Sequence, residues 1–592
     1  MSIDWRAGSA CAVLLLVAHL LVASEVNRLV PQGYMDEPFH IPQTQRYCSG
    51  DFQSWDPKIT TFPGLYLLGT LWAKCSETAA LLLGAPGNKD AVSTFCGAAW
   101  LRSLNIVLSL ACYLALLALL AELQQWGHDH PSASHRRQAS VNTTTAAART
   151  NASDLIRQVS PTPAAGHNSG SSRHITPAAV TSLLPSSNTH ASPSSDPAVV
   201  APASLRGDGG MPGQGVRLAL YALVLSLFPL HWFFTYLFYT DVGSLLFLAL
   251  CQLASLRGNS VLAAVAGAVA VLFRQTNAVW VVFVVGAAAL RIAGGGCQGG
   301  EAGLQSNACD REARPADSRQ PQQQQQPAGA VHQTQVHASP TTALQETWAT
   351  LLSVWAAKHR ILQQLWPLLL VPAAFAVFLV LNGGVTVGDK AAHIPVKHFA
   401  QLLYFSAFCA AMLLPIHLHP HRIQHLALSA YTFTQRSLVA ATAVTAAVAG
   451  VLIIIVQRYS LTHPYLVADN RHFTFYIYRK VLSRHPAAPY LLLPVYCYCW
   501  ASLVTGLRRR QSVAWVAGFL ACLVLTLVPA WLWELRYYTP GFMLLAVHSE
   551  LPSVRQLLAM CTVFVAINAA TMTLFLYHPF EWADGSVARF MW

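Results

Sequence analysis

Long apolar runs separated by short polar stretches repeat along almost the whole chain. Runs of about 17–25 apolar residues are long enough to cross the hydrocarbon core of a bilayer as helices. A membrane barrel would instead show short segments of alternating polarity. The pattern therefore predicts an all-α polytopic membrane protein with about 12–13 transmembrane helices. We place the spans at 9–27, 100–122, 217–238, 242–256, 260–274, 278–294, 364–382, 398–415, 437–456, 488–507, 513–533, 537–552 and 556–577, with 537–552 the weakest because it is short.

Composition agrees with this pattern and excludes an ordinary soluble domain. Hydrophobic residues make up 54% of the 592 residues and charged residues 10%, with a mean hydropathy of +0.41. Soluble domains carry about 25% charged residues. We interpret the first apolar run as a membrane helix and not as a cleaved signal peptide, because no small-residue cleavage site follows it and many further runs do.

The charge balance is basic, with a net charge of +12 and a pI near 9.2. Lys and Arg mostly flank the apolar runs, so membrane orientation and lipid phosphates explain the charge better than nucleic acid does. The 13 cysteines are scattered, and no spacing suits a zinc site. Cys48 and Cys75 fall in one predicted lumenal segment, and whether they pair is left open.

Two long polar segments interrupt the spans. Residues 125–215 are rich in Ser, Ala, Pro and Thr, and residues 295–345 are rich in Gly and Gln, so both are predicted to be disordered insertions. Each follows an even-numbered span, which places both on one side. We assign that side to the cytosol, where the basic turn at 508–510 also falls. The whole chain, 1–592, is expected to form a single transmembrane domain, with a long first lumenal loop at 28–100.

Ionisable residues gather on the predicted lumenal side. Asp36, Glu37 and His40 follow directly on the first span, where exposed charge at the membrane is costly and typical of functional sites. Several Arg and Lys residues share that side, against the usual orientation bias. These cations are explained in general by ion pairs with nearby carboxylates and by lipid headgroups. The more specific interpretation is a binding site for phosphate groups, which the planar guanidinium of Arg matches.

Six polar segments of this side form a pattern that belongs together. They are Tyr34 to Cys48, Trp55 to Tyr66, Arg274 to Asn277, Ala468 to Ile477, Glu534 to Tyr538 and Arg589 to Trp592. Together these segments resemble the dolichyl-phosphate-glucose alpha-1,2-glucosyltransferases of N-glycan assembly. The resemblance runs from the first loop to the last residues and leaves out only the two insertions. Pro38 departs from the family pattern, in which we expect a bulky apolar residue, and it stiffens the backbone beside Asp36.

The resemblance implies an endoplasmic reticulum membrane enzyme with the multi-helix GT-C type glycosyltransferase fold and an active site facing the lumen. Its donor would be dolichyl phosphate β-glucose. Its acceptor would be the diglucosylated oligosaccharide on dolichyl diphosphate, which receives the third and last glucose in α-1,2 linkage with inversion. It implies no cofactor beyond the donor, and a lipid-phosphate donor does not call for a metal.

Inversion by a single displacement needs one base on the acceptor hydroxyl, and a phosphate leaving group needs no general acid. The resemblance favours Asp36 as that catalytic base, with Glu37 expected to be a structural partner of Arg46 or His40. Arg471, His472 and Arg274 are the candidate phosphate-binding residues, and Arg471 lies before the start of a helix if Phe473 to Lys480 is helical. The weaker substrate-binding candidates are Arg46, Trp55, Tyr236, Asp241, Lys390 and Arg536.

One histidine cluster and two other functions remain as alternatives. His417, His419, His421 and His425 have a spacing that a metal could use, but they fall on the cytosolic side and are interpreted as a basic interfacial turn. A transporter or flippase for an anionic lipid would also explain many spans and lumenal cations, and it predicts internal repeats with broken helices. A related mannosyltransferase that uses dolichyl phosphate mannose is the other alternative.

Overall fold

The computed structural model describes residues 4–84, 94–129, 213–305, 340–390 and 394–592. This described part is almost entirely helical, and its only regular strands are the antiparallel pair Phe580–Glu581 and Val587–Ala588. The prediction of an all-α protein is confirmed. Most of the two predicted insertions, 125–215 and 295–345, lie outside the described residues.

Seven helices of the described part are long and apolar enough to cross a membrane. Each coincides with one of the thirteen predicted spans, so the chain is a multi-span membrane protein. They are Trp5–Leu29, Ala98–Trp126, Asn277–Gly294, Lys358–Asn382, Leu438–Arg458, Ala488–Arg508 and Val554–Tyr577.

The other six predicted spans are shorter helices of 10 to 16 residues, namely Gln214–Ser226, Asp241–Leu256, Ser260–Phe273, Ala400–Met412, Val513–Leu527 and Thr539–His548. At 1.5 Å per residue they measure about 15–24 Å, less than the bilayer core of about 30 Å. Proline explains one shortening: the predicted span 217–238 breaks before Pro229, which opens the separate helix Pro229–Phe234. The predicted span 537–552 starts instead as a 3₁₀ turn, Leu535–Tyr538.

Further helices were not predicted, because they are short or poorly apolar. The first loop holds Glu37–Cys48 and Gly64–Leu82, where only a short surface segment at 65–72 was expected. The histidine cluster predicted as a turn leads into the helix Pro420–Arg436. The segment after Arg471 is helical at Phe473–Ile477 and continues as a π-helical turn, Tyr478–Leu482. The remaining unpredicted helices are Pro340–Ala356, Leu414–His417 and Pro464–Ala468. The span that ends at Arg508 consists of two helices, Ala488–Leu491 and Leu493–Arg508. The helices that begin at Ala98 and Asn277 end at Asp129 and Gln305.

The first loop is tied down by a disulfide and by close packing. Cys48, at the end of Glu37–Cys48, is bonded to Cys96, so the pairing with Cys75 left open above is wrong. Cys75 is exposed and free. At Gly64 any side chain would meet the backbone of a neighbouring helix, since a Cβ would lie 2.6 Å from the Leu272 carbonyl oxygen. The loop is therefore a folded part of the molecule.

Candidate active site

Asp36 lies at the point where the helix Glu37–Cys48 begins. Its backbone N–H donates to the Tyr239 hydroxyl at 2.8 Å. Its carboxylate oxygen Oδ2 lies 3.3 Å from Nη1 of Arg536, and 38% of the side chain remains exposed. The carboxylate is thus held on one side by a cation and is open on the other.

The backbone just before Asp36 is strained. Met35 has a φ of 60° and is the only non-glycine residue with a positive φ among the described residues. Such a conformation costs about 1–3 kcal/mol and persists where the surroundings enforce it. Here the enforcement comes from Tyr34, whose N–H donates to Glu37 at 3.0 Å and whose hydroxyl accepts from the Arg589 N–H at 2.7 Å and donates to the Arg589 carbonyl at 2.8 Å. The turn fixes where Asp36 points.

Glu37 faces away from this opening. It is fully buried, and the Arg102 guanidinium donates to both its oxygens at 2.8 and 2.5 Å. The Phe238 N–H adds a bond at 2.7 Å. The expected partners Arg46 and His40 are wrong, because Arg102 from the helix after the first loop holds the carboxylate instead.

A second carboxylate–arginine group closes the site from the far end of the chain. Arg536 binds Glu534 as well as Asp36. Burial would raise the pKa of Glu534, but the Arg536 guanidinium outweighs it and holds that pKa below its usual value. The same environment raises the pKa of Arg536, chiefly through Glu534 and Asp36, against the lowering effect of burial. Arg536 therefore stays charged beside the candidate base.

Arg274 lies next to this group. Its Nη1 is 3.4 Å from Asp241 Oδ1 and its Nε is 3.3 Å from the Thr240 hydroxyl. The guanidinium carbons of Arg274 and Arg536 lie 5.7 and 5.9 Å from the ring centre of Tyr537. Two cations therefore share one aromatic ring, and two residues that the sequence offered as candidates, Asp241 and Arg274, lie together here.

Arg471 and His472 form a third group that is more fully occupied. Arg471 donates to both oxygens of Asp469 at 2.9 and 2.7 Å, and its guanidinium carbon lies 4.5 Å from the ring centre of Trp582. Nδ1 of His472 lies 3.0 Å from the carbonyl oxygen of Trp592. Burial acts to raise the pKa of Asp469, but Arg471 prevails and lowers it.

Three groups lie around one centre: the Asp36 turn, the Glu534–Arg536 pair with Arg274 beside it, and the Asp469–His472 segment. The charges of His472 and Arg274 both act on the Glu534 carboxyl, and the charge of Arg471 acts on Tyr34, the residue two before Asp36. Segments near positions 36, 274, 471 and 536 thus surround one centre, which holds three guanidinium groups and four carboxylates, those of Asp36, Asp241, Asp469 and Glu534. Guanidinium groups bind phosphate oxygens well, so the three arginines suit an anionic ligand beside a base.

The family model described as the DIE2/ALG10 family matches residues 30–150 and 175–547, most of the chain and all three groups up to Arg536. The chain belongs to the DIE2/ALG10 family. A relative from Arabidopsis thaliana is 31% identical over 96% of both chains, one from Rattus norvegicus 28% over 99% of this chain and 98% of its own, and one from Homo sapiens 26% over the same shares. All three are named Dol-P-Glc:Glc(2)Man(9)GlcNAc(2)-PP-Dol alpha-1,2-glucosyltransferase. No solved structure matches this chain.

Some residues predicted for the site of this family member lie elsewhere. Tyr236 is buried in the core, with its hydroxyl 2.9 Å from His19 Nδ1. Arg46 is exposed at the end of its helix, and Lys390 donates to the Asn382 carbonyl at 2.5 Å. These three candidates are not brought to the centre, because they project from other faces of their elements.

His40 and Trp55 pack behind the site. Nδ1 of His40 lies 2.8 Å from the Tyr66 hydroxyl, and the Trp55 ring meets the edge of Tyr66 at 5.7 Å between centres. Burial lowers the pKa of His40 below its ordinary value. His40 is therefore neutral at pH 7, and its contact with Tyr66 helps to hold the helix that begins beside Asp36.

The sequence assigned no specific role to Glu534 or Asp469, and it offered Tyr239 only for stacking against sugars and Arg102 only as one of several lumenal cations. One signal was available: Asp469 and Glu534 each precede an arginine by two residues, a spacing at which both pairs form in the structure. The partners of Tyr239 and Arg102 are far away in the chain and leave no local pattern.

No group of three or more His, Cys, Asp or Glu side chains is arranged for a metal within the ranges that the structure describes. In the histidine cluster, His417 is buried and its Nδ1 lies 2.8 Å from the Ser502 hydroxyl, while Arg422 lies 3.7 Å from Glu550. The first contact joins two helices, and the second joins the helix Pro420–Arg436 to the segment that follows Thr539–His548.

Proposed function

We propose that this chain transfers glucose from dolichyl phosphate glucose to the diglucosylated oligosaccharide of dolichyl diphosphate, forming an α-1,2 linkage in N-glycan precursor assembly. Family membership and the shared name of relatives that cover 96–99% of the chain support this activity. The pathway belongs to the endoplasmic reticulum. The substrates are the two dolichyl-linked molecules, and the bilayer surrounds the enzyme.

The observation that carries the mechanism is the open Asp36 carboxylate, 38% exposed and 3.3 Å from Arg536. Asp36 takes the proton from the acceptor hydroxyl as that oxygen attacks the anomeric carbon of glucose. The bond from this carbon to the phosphate oxygen breaks, and dolichyl phosphate leaves as a stable anion. Attack opposite the leaving group turns a β donor into an α product, so one base suffices.

The leaving phosphate needs fixed positive charge. Arg536 and Arg274 are the first choice, because Arg536 lies at Asp36 and both guanidinium groups lie by Tyr537. Arg471 and His472 remain candidates, with the guanidinium of Arg471 already bonded to both oxygens of Asp469.

A lumenal orientation of this site fits the chemistry of the first loop. The Cys48–Cys96 disulfide lies in the loop that carries Asp36. Disulfides form and persist in oxidising compartments such as the lumen of the endoplasmic reticulum and are rare in the cytosol. We therefore place the centre on the lumenal face.

The test is glucosyl transfer by the purified, detergent-solubilised protein from dolichyl phosphate glucose to the diglucosylated lipid-linked acceptor, with linkage analysis of the product. We expect one added α-1,2 glucose. Asp36→Asn should lower kcat at least about 10²–10⁴-fold, the usual contribution of a general base. Asp56→Asn is the matched control, since Asp56 lies in the same loop and its carboxylate accepts from the Lys58 N–H at 2.9 Å in a turn.

Normal turnover by Asp36→Asn would remove the base assignment while leaving the activity. Lipid movement without any transfer by the wild type would favour the transporter alternative, and transfer only from dolichyl phosphate mannose would favour the mannosyltransferase. The names of the relatives support neither of these two alternatives.

A further inference from the structure

A cavity of about 530 Å³ borders the Asp469–His472 group, between the 467–475 segment and the turn of the 580–588 hairpin. Ligand sites commonly measure about 300–1,000 Å³. Its wall combines an indole and a phenyl ring with an amide, a carboxylate and small aliphatic side chains, from Trp582, Phe475, Asn470, Asp584, Ala583 and Ala468.

The indole of Trp582 is held before any ligand arrives. Its Nε1–H donates to Oδ1 of Asn470 at 2.9 Å, and the Arg471 guanidinium carbon lies 4.5 Å from the ring centre. The Trp582 backbone N–H also donates to the Ser586 carbonyl at 3.0 Å across the hairpin. A rigid aromatic side chain loses little entropy on binding, which favours recognition.

The same hairpin segment connects the cavity to the catalytic centre. The Met591 N–H donates to the Arg471 carbonyl at 2.9 Å, and the Phe473 N–H donates to the Met591 carbonyl at 3.2 Å. Arg589 is bonded to Tyr34 through its backbone N–H and carbonyl, and Tyr34 precedes Asp36 by two residues. A molecule that reaches from this cavity past Arg471 arrives at the Asp36 side.

The charge of the cavity selects its ligand. Asp584 is the one charged residue among the described residues that line it, so an anionic phosphate is disfavoured there. Asn470 uses its carbonyl oxygen for the indole, which leaves its NH₂ group to donate. An aromatic ring beside an amide donor and a carboxylate acceptor suits the apolar faces and hydroxyl groups of a neutral sugar.

We infer that this cavity binds sugar residues of the acceptor glycan, away from the glucose that is extended. This inference rests on the proposed function, because it assumes that a lipid-linked oligosaccharide is the acceptor. The cavity binds sugars that do not react, so the proposal is that it adds equally to ground-state and transition-state binding and sets acceptor affinity.

The experiment fills the cavity with bulk and leaves the Trp582 contacts in place. Ala583→Trp and Ala468→Trp come from opposite walls, and both alanines are exposed. Val587→Trp is the matched control, because Val587 is 57% exposed in the same hairpin and does not line the cavity. Initial rates are measured against each substrate, and the free glycan released from its lipid diphosphate is added as a competitor.

We expect both filling variants to raise the acceptor KM about tenfold, with kcat and the donor KM close to wild type, and to abolish inhibition by the free glycan. A tenfold change corresponds to about 1.4 kcal/mol of binding free energy. An unchanged acceptor KM in both variants would overturn the inference, as would a fall in kcat alone or an equal effect of Val587→Trp. Absence of transfer by the wild type would instead overturn the proposed function, so the two failures are distinct.

Discussion

Asp36 and Glu37 are adjacent in the chain and have carboxylates of nearly equal chemistry, yet their surroundings differ completely. Glu37 is fully buried and accepts hydrogen bonds from Arg102 and two backbone N–H groups. Asp36 is 38% exposed and has the single cation Arg536 at 3.3 Å. A saturated carboxylate holds structure, whereas a carboxylate with free lone pairs can accept a proton. The start of one helix thus separates a structural carboxylate from the one that we propose as the catalytic base.

The largest effect is expected from Glu37→Gln, which removes the charged partner of Arg102. Removing one partner of a buried ion pair leaves Arg102 charged and unpaired, which costs about 3–5 kcal/mol. We expect a large loss of thermal stability in detergent, measured by intrinsic fluorescence, whereas Asp36→Asn should unfold near the wild-type temperature.

Arg102→Gln provides the control for that prediction. Both single variants should be destabilised, and the double variant should lose less than the sum of the two, because residues in direct contact couple. A stable Glu37→Gln protein without turnover would instead move the catalytic role to Glu37.

The second comparison is between Arg536 and Arg471. Arg536→Lys keeps the charge but removes the planar fork that binds phosphate oxygens. We expect kcat/KM for dolichyl phosphate glucose to fall about 10–100-fold, a loss of about 1.4–2.7 kcal/mol of transition-state stabilisation. Arg471→Lys should raise the donor KM by less. A larger effect at Arg471 would assign the phosphate to the 469–472 group.

A smaller effect is expected from Tyr239→Phe, which removes the hydroxyl that accepts from the Asp36 N–H. Loss of one hydrogen bond of about 1 kcal/mol should lower kcat about five- to tenfold by loosening the turn. Tyr236→Phe is the matched control, since its hydroxyl contacts His19 in the core. It should affect stability and leave kcat unchanged, and equal kcat values for both variants would contradict a positioning role for Tyr239.

The smallest effect concerns pH. Burial lowers the pKa of His40 in the folded protein below its ordinary value of 6.5. The unfolded chain therefore takes up a proton first as pH falls, so the contribution of His40 to stability is complete above about pH 6.5 and is lost below it. Thermal unfolding between pH 7.5 and 5 should show a steeper acid loss for wild type than for His40→Gln. Parallel curves would contradict this prediction.

The accuracy of the sequence predictions depended on how local the signal was. The seven long spans were found because an apolar run of bilayer length is itself the signal. The partner of Cys48 was not identified from the sequence, and the partner of Glu37 was missed, because Cys96 and Arg102 are recognised only once the first loop has folded back on the following helix. Tyr236 was assigned to the site and lies in the core, since an aromatic residue at the end of an apolar run is compatible with both places.

The sequence by itself determined a multi-span helical membrane protein, the set of polar segments from which the centre is built, and the family whose motifs they resemble. Only the tertiary structure decided which carboxylate is open, which arginine faces it and which cysteine closes the loop. Asp36 and Arg536 are 500 residues apart, and their 3.3 Å contact depends on how the helices between them pack. Hydrophobicity along a chain decides which segments enter the membrane, but the direction of a side chain is set by its neighbours in space.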